Sequence, residues 1–118
     1  MSDCIFCMVA AGEIPAKTVF ENDQVIAFDD IAPQAPVHTL IIPRHHYSSL
    51  DDDVPAEVLT ALFGAVPEVA KLKGVDKSGY RLIVNNGPDA MQSVGHLHLH
   101  VLGGRPMSHG MVRFGNDE

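Results

Sequence analysis

Three histidines, His96, His98 and His100, alternate with Leu97, Leu99 and Val101 near the C-terminal end of the chain. Imidazole can donate hydrogen bonds to an anion, attack phosphorus as a nucleophile, or ligate a metal. Alternation with period two is the pattern of a half-buried strand, which predicts three imidazoles on one face and the three apolar side chains in a core. At a rise of about 3.3 Å per residue the outer two histidines stand about 13 Å apart at Cα, too far to close together on one metal ion. The row suits an extended polar ligand better, and phosphate is the natural candidate. With an ordinary imidazole pKa of about 6.5, such a nucleophile is largely unprotonated at neutral pH. The competing reading is a surface strand with incidental histidines, but three of the chain's seven at this spacing favour function.

Cys4 and Cys7 are the chain's two cysteines. On a helix they are i and i+3 neighbours, and in a reducing compartment that spacing favours metal or redox chemistry over a structural disulfide. His38 begins a β-rich run after a proline-containing loop, where an isolated histidine is more often structural. Asp29 and Asp30 suit a solvated turn equally well. His45 and His109 are expected to be exposed and without a role.

These residues need elements to hold them. Residues 3–11 predict a short helix capped by Asp3 and ended by Gly12, with Ile5, Phe6 and Val9 on its apolar side. Lys17–Glu21 and Val25–Asp29 flank Asn22-Asp23 as a β-hairpin. Ile31–Val37, with Pro33 and Pro36, is loop, and His38–Ile42 is a strand ended by Pro43. Asp51–Asp53 supply caps and favourable charge for a long helix starting near Pro55 and kinked at Pro67, with Gly74 as its stop. Its apolar stripe is Val58, Leu59, Leu62, Phe63, Val66, Val69 and Ala70. Tyr80–Asn85 is a further strand, residues 86–95 a loop, and residues 93–102 the histidine strand. The order α-β-β-β-α-β-β, without regular βαβ alternation, predicts an α+β fold on an antiparallel sheet.

At 118 residues, 46% of them hydrophobic, the chain suits one domain with a real core and a short tail from about residue 106. Eight Lys and Arg against fifteen Asp and Glu give a net charge of -7, which argues against polymeric nucleic acid as a partner, so any nucleotide bound here should be small. No apolar run reaches 18 residues and no secretion signal is visible, so neither a membrane span nor export is expected, and the cytoplasm is the expected location.

The run His96-Leu97-His98-Leu99-His100-Val101, preceded by Gln92-Ser93 and followed by Leu102-Gly103-Gly104-Arg105, resembles the signature of the histidine triad (HIT) superfamily. The flanks are more similar to the Hint nucleoside phosphoramidases than to the fragile-histidine-triad dinucleotide hydrolases. The likeness extends to Ile14-Pro15-Ala16-Lys17, to residues 30–38 and to Val84-Asn85-Asn86-Gly87. It implies the HIT fold, a five-stranded antiparallel sheet with one long and one short helix, dimerising into a continuous sheet.

The resemblance also implies roles. His98 matches the nucleophile, His96 and His100 match residues that bind or orient around the α-phosphate, His38 supports them, and Ser93 lies near the leaving group. Asn85 matches a residue of the phosphate and ribose site. Purine and ribose contacts would come from Ile5, Phe6, Val9, Ile14, Phe28, Asp30 and Ile31, several of which suit a core equally well. Cys4 and Cys7 depart from the eukaryotic Hint pattern. They resemble relatives in which such a pair joins two histidines, here His46 and His96, around a structural zinc. No redox or organic cofactor is implied. The implied activity is cleavage of the P–N bond of purine nucleoside 5'-phosphoramidates. Its rivals are hydrolysis of a dinucleoside polyphosphate or nucleotidyl sulfate, and a nucleotide-binding interaction module.

Overall fold

The computed structural model describes residues 4–108. Helix α1 spans Ile5–Ala10, with Cys4 as its N-cap, the thiol accepting from the Cys7 backbone N–H. The expected cap, Asp3, lies outside the described residues. Gly12, at φ +74, follows the last turn in a conformation that only glycine adopts without strain, so the helix stops where expected.

Strands β1 (Thr18–Glu21) and β2 (Val25–Asp29) form the predicted hairpin. Asn22 organises its turn, its side-chain oxygen accepting from the N–H groups of Gln24 and Val25 at 2.9 and 3.0 Å. Strand β3 is Val37–Pro43, β4 is Tyr80–Ile83 and β5 is Leu99–Gly103. All pairings are antiparallel, in the order β1-β2-β3-β5-β4. Two strands are shorter than their sequence patterns. β4 ends two residues before Asn85, and β5 begins only at Leu99 because the Leu97 N–H donates to the Tyr47 carbonyl at 2.7 Å, off the ladder.

Helix α2, Ala56–Leu72, runs unbroken through Pro67. Leu62, Ala65, Val66, Val69 and Ala70 are buried on it, whereas Phe63 is 46% exposed and does not belong to the expected stripe. The acids before it do not cap it. Pro55 occupies the N-cap without a side-chain bond, while Asp52 accepts from the Ser48 N–H and Asp51 from Asn86, so both carboxylates serve the preceding loop. No helix among the described residues is long and apolar enough to cross a membrane.

Each face of the sheet has its own apolar cluster. Toward α2 lie Val25, Ala27, Ile41, Leu97, Leu99 and Val101 with the helix stripe. Toward α1 lie Phe6, Val9, Ile26, Phe28, Leu40 and Ile42. The alternation predicted for Leu97, Leu99 and Val101 thus holds, and the intervening histidines emerge on the α1 face.

Candidate active site

The site grows from the loop that enters β3. The Asp30 N–H donates to the His38 carbonyl at 3.0 Å, and the Asp30 carboxylate accepts from the Ala32 N–H at 2.9 Å, closing a tight turn. The Gln34 N–H then donates to His38 Nδ1 at 3.0 Å. Gly104 lets this loop approach β5: at φ +97, a Cβ built there would stand 2.8 Å from Pro36 Cβ.

One backbone donor sets the protons of two rings. Because Nδ1 of His38 accepts, neutral His38 carries its proton on Nε2, which faces His100 Nδ1 at 2.9 Å, with Asp30 Oδ2 3.5 Å away. His100 Nδ1 therefore accepts and its own proton sits on Nε2. That Nε2 is buried without a hydrogen-bond partner among the described residues. An unmet buried donor costs about 1–3 kcal/mol, so a ligand acceptor there is favoured.

His98 has the complementary arrangement. Its Nδ1 lies 2.7 Å from the His96 carbonyl, which can only accept, so Nδ1 carries the proton and Nε2 keeps a bare lone pair. The ring is held edge-on to Phe6, with centroids 5.1 Å apart, and against His100 at 4.9 Å. A lone pair and an N–H donor thus stand side by side, as a nucleophile and the stabiliser of an oxyanion require.

His100 is held neutral. Burial, then the neighbouring His98 and His38, push its pKa down from 6.5 to about 4, opposed by Asp30. In the unfolded chain it takes up a proton below about pH 6.5, whereas the folded protein resists until about pH 4, so acid favours unfolding across that window. Denaturant unfolding between pH 7 and 4.5 should show the wild type losing stability faster than His100→Asn. Parallel slopes would exclude this contribution.

His98 and His100 line a cavity of about 300 Å³. Helix α1 contributes Ile5, Phe6 and Val9, the following loop Ile14, the end of β2 Phe28, Asp30 and Ile31, and the loop before the histidines Ser93. These expected contacts converge although they come from four separate parts of the chain. Leu40 and Val94 also line it. Leu40 had a legible signal, since it lies two residues from His38 on β3 and pairs with His100. Asn85 does not join them: it follows the end of β4 and is not among the lining residues. A wider cavity of about 580 Å³ adjoins across Asp29–Ile31, lined by Lys17, Lys73 and His38 but by neither His98 nor His100.

His96 also departs from the expected row. It is fully buried, donates from Nε2 to the Pro43 carbonyl at 2.9 Å, and turns Nδ1 to Cys4 Sγ at 3.3 Å and Cys7 Sγ at 3.5 Å. Cys7 Sγ is also 3.3 Å from His46 Nδ1. The ligand atoms of Cys4, Cys7, His46 and His96 all lie within 4.8 Å of one another. Burial foremost, and the positive charge of neighbouring histidines, lower the His96 pKa and keep Nδ1 bare. The cavity touches His96 only through His98, which its carbonyl orients. The strand face put three imidazoles in one row, but before Leu99 the backbone leaves the ladder and this ring points elsewhere. His45 is exposed, its ring tilted against Tyr47 with centroids 5.0 Å apart, while His109 lies outside the described residues.

The antiparallel α+β domain thus sets two oppositely protonated imidazoles beside an apolar slot. The chain belongs to the HIT domain family, whose model matches residues 11–107. It is 43% identical over 105 residues to Protein HitA of Neisseria gonorrhoeae, covering 87% of this chain and 97% of that one. Among solved structures it is similar to a HIT family hydrolase from Legionella pneumophila, with a TM-score of 0.86, 43% identity, and coverage of 91% and 97%. A HIT family hydrolase from Clostridium thermocellum gives a TM-score of 0.90 at 39% identity, with coverage of 95% and 99%.

Proposed function

We propose that the protein is a purine nucleoside phosphoramidase, cleaving the P–N bond of adenosine or guanosine 5'-phosphoramidates. The observation that carries this reading is the bare Nε2 of His98 beside the partnerless Nε2–H of His100, at the end of an apolar slot. The base enters between Phe6, Val9, Ile14 and Phe28, and the ribose hydroxyls reach the Asp30 carboxylate. His98 Nε2 attacks phosphorus, forming a P–N bond to the ring as the bond to the amine breaks. The amine departs with a proton delivered from the Ser93 hydroxyl, and water then cleaves the nucleotidyl-histidine, releasing the monophosphate and returning a proton to Ser93. His100 Nε2–H donates to a non-bridging oxygen as charge builds, its tautomer enforced through His38 by the Gln34 amide. The HIT family hydrolases among its structural neighbours support a hydrolytic outcome.

Turnover of adenosine 5'-phosphoramidate should exceed that of a diadenosine polyphosphate or a nucleotidyl sulfate. The reverse order would reassign the protein to the polyphosphate or sulfate substrates. AMP binding without turnover of any of them would make it an interaction module. Ser93, exposed and lining the same cavity as His98 and His100, assists the amine. An amide anion leaves poorly and needs a proton, whereas phosphate and sulfate need one less. Ser93→Ala should therefore slow phosphoramidates about tenfold more than substrates with acidic leaving groups. Equal slowing would leave Ser93 a positioning role only.

A structural zinc fits the four-residue cluster. Three sulfur–nitrogen separations of 3.3–3.5 Å match the edges of a tetrahedron built on bonds of about 2.3 Å to sulfur and about 2.0 Å to nitrogen, and all four ligand atoms lie within 4.8 Å of one another. Bound there, the metal would supply a cross-link and no chemistry. Cys4 and Cys7 would tie α1, and with it Ile5 and Phe6, to His96 immediately before the catalytic strand. β4 lies at an edge of the sheet, where a second copy could add its strands.

A further inference from the structure

We propose that Arg81 and Arg105 form an oxyanion subsite on the leaving-group side of the histidines, selecting substrates whose departing group carries a carboxylate or phosphate. The identity of the bond cleaved rests on the phosphoramidase reading above, but the chemistry of the subsite does not.

The sheet order sets the direction. The apolar slot lies over β2 and β3, at Phe28 and Leu40, and the reactive rings belong to β5 and the residues just before it. A substrate laid from slot to rings continues toward β4. In the register of these strands His38, Leu102 and Arg81 form one row, and Leu40, His100 and Ile83 the next. Leu82, between Arg81 and Ile83, packs into the α2 cluster, so Arg81 lies on the same face as His38 and His100. It is the diagonal cross-strand neighbour of His100, a relation that spans about 7–8 Å, within reach of an arginine side chain.

Arg81 and Arg105 both line a cavity of about 350 Å³, together with Gln34, Pro36 and Ser108. Gln34 is the residue whose N–H sets the His38 tautomer, so the subsite and the relay share a wall. Arginines with a structural task show it in their partners: Arg44 donates to the Asn22 and Ala10 carbonyls and to Glu21. Among the described residues Arg81 and Arg105 take part in none of the three ion pairs, in a chain with fifteen acids to eight bases. Arg81 is moreover half-buried. A partly desolvated guanidinium without a carboxylate is unfavourable until an anion arrives, and its planar fork fits carboxylate or phosphate.

The test uses two adenosine 5'-phosphoramidates, N-linked to glycine or to glycinamide, which differ only in the carboxylate. The wild type should favour the glycine compound about tenfold in kcat/KM, and Arg81→Gln with Arg105→Gln should bring the ratio near one. A parallel arm compares diadenosine tetraphosphate with unsubstituted phosphoramidate, and a larger arginine-dependent gain there identifies phosphate as the natural oxyanion. Calorimetric binding of the glycine and glycinamide compounds to His98→Ala protein reads the same preference without turnover. If neither compound is turned over yet this difference persists and needs the arginines, the subsite stands and the phosphoramidase reading falls. Ratios and binding differences that the arginine substitutions leave unchanged overturn the subsite, including the case in which light scattering shows that they alter only self-association.

Discussion

His98→Ala is expected to abolish turnover, by roughly a thousandfold or more, equivalent to about 4 kcal/mol of barrier, while AMP binding changes by only a few-fold. The split follows from where the ring stands. Its Nδ1–H is committed to the His96 carbonyl, so the side chain offers a ligand one atom, the bare Nε2. The slot proposed for the base is lined by Phe6, Val9, Ile14 and Phe28, which the substitution leaves in place, and the proposed oxyanion donor is His100. His98→Gly, which opens room for a free imidazole, should recover part of the rate when imidazole is added. A loss smaller than about tenfold, or a parallel loss of AMP affinity, would remove His98 from the covalent step.

Cys4→Ser combined with Cys7→Ser is expected to lower the unfolding temperature by about 10 °C or more, with activity at low temperature changed much less. Elemental analysis of the wild type should find near one zinc per chain, and the double variant should find almost none. The expectation rests on three separations of 3.3–3.5 Å that join the start of the chain to His46 and to His96. Without the metal, α1 retains its apolar contacts, Phe6 and Val9 against Phe28, Leu40 and Ile42, and the hydrogen bond from Arg44 to the Ala10 carbonyl. Six residues are too few to hold a helix by propensity, so the base slot should loosen before the sheet does. Metal-free wild type of full stability, prepared without chelators, would return both cysteines to a packing role.

Both experiments turn on His96, and the histidine strand shows how far pattern alone reaches. Period two correctly placed Leu97, Leu99 and Val101 toward α2 and the histidines toward α1, because a pleated backbone leaves no other choice. The same logic put His96 in a phosphate-binding row, yet the ladder begins at Leu99 and the ring is captured by the Pro43 carbonyl, 53 residues away. Phe63 failed similarly: helical spacing allowed it into the α2 stripe, but the sheet behind that helix is covered by Ala65 and Val66 instead. Asn85 lies two residues past the end of β4 at Ile83 and does not line the cavity.

What this sequence determined by itself was local or repetitive: the hairpin closed by Asn22, the helix stop at Gly12, the two faces of β5, and a histidine pattern legible as that of the HIT family. What only the tertiary structure decided was which nitrogen of each ring carries the proton and which way each ring turns. Those choices belong to acceptors and donors brought from elsewhere, the Gln34 amide for His38, His38 for His100, and the Pro43 carbonyl for His96. A neutral imidazole is symmetric in its capacity to hold the proton on either nitrogen, so nothing in the residue or its neighbours along the chain selects one; the hydrogen-bond partner does.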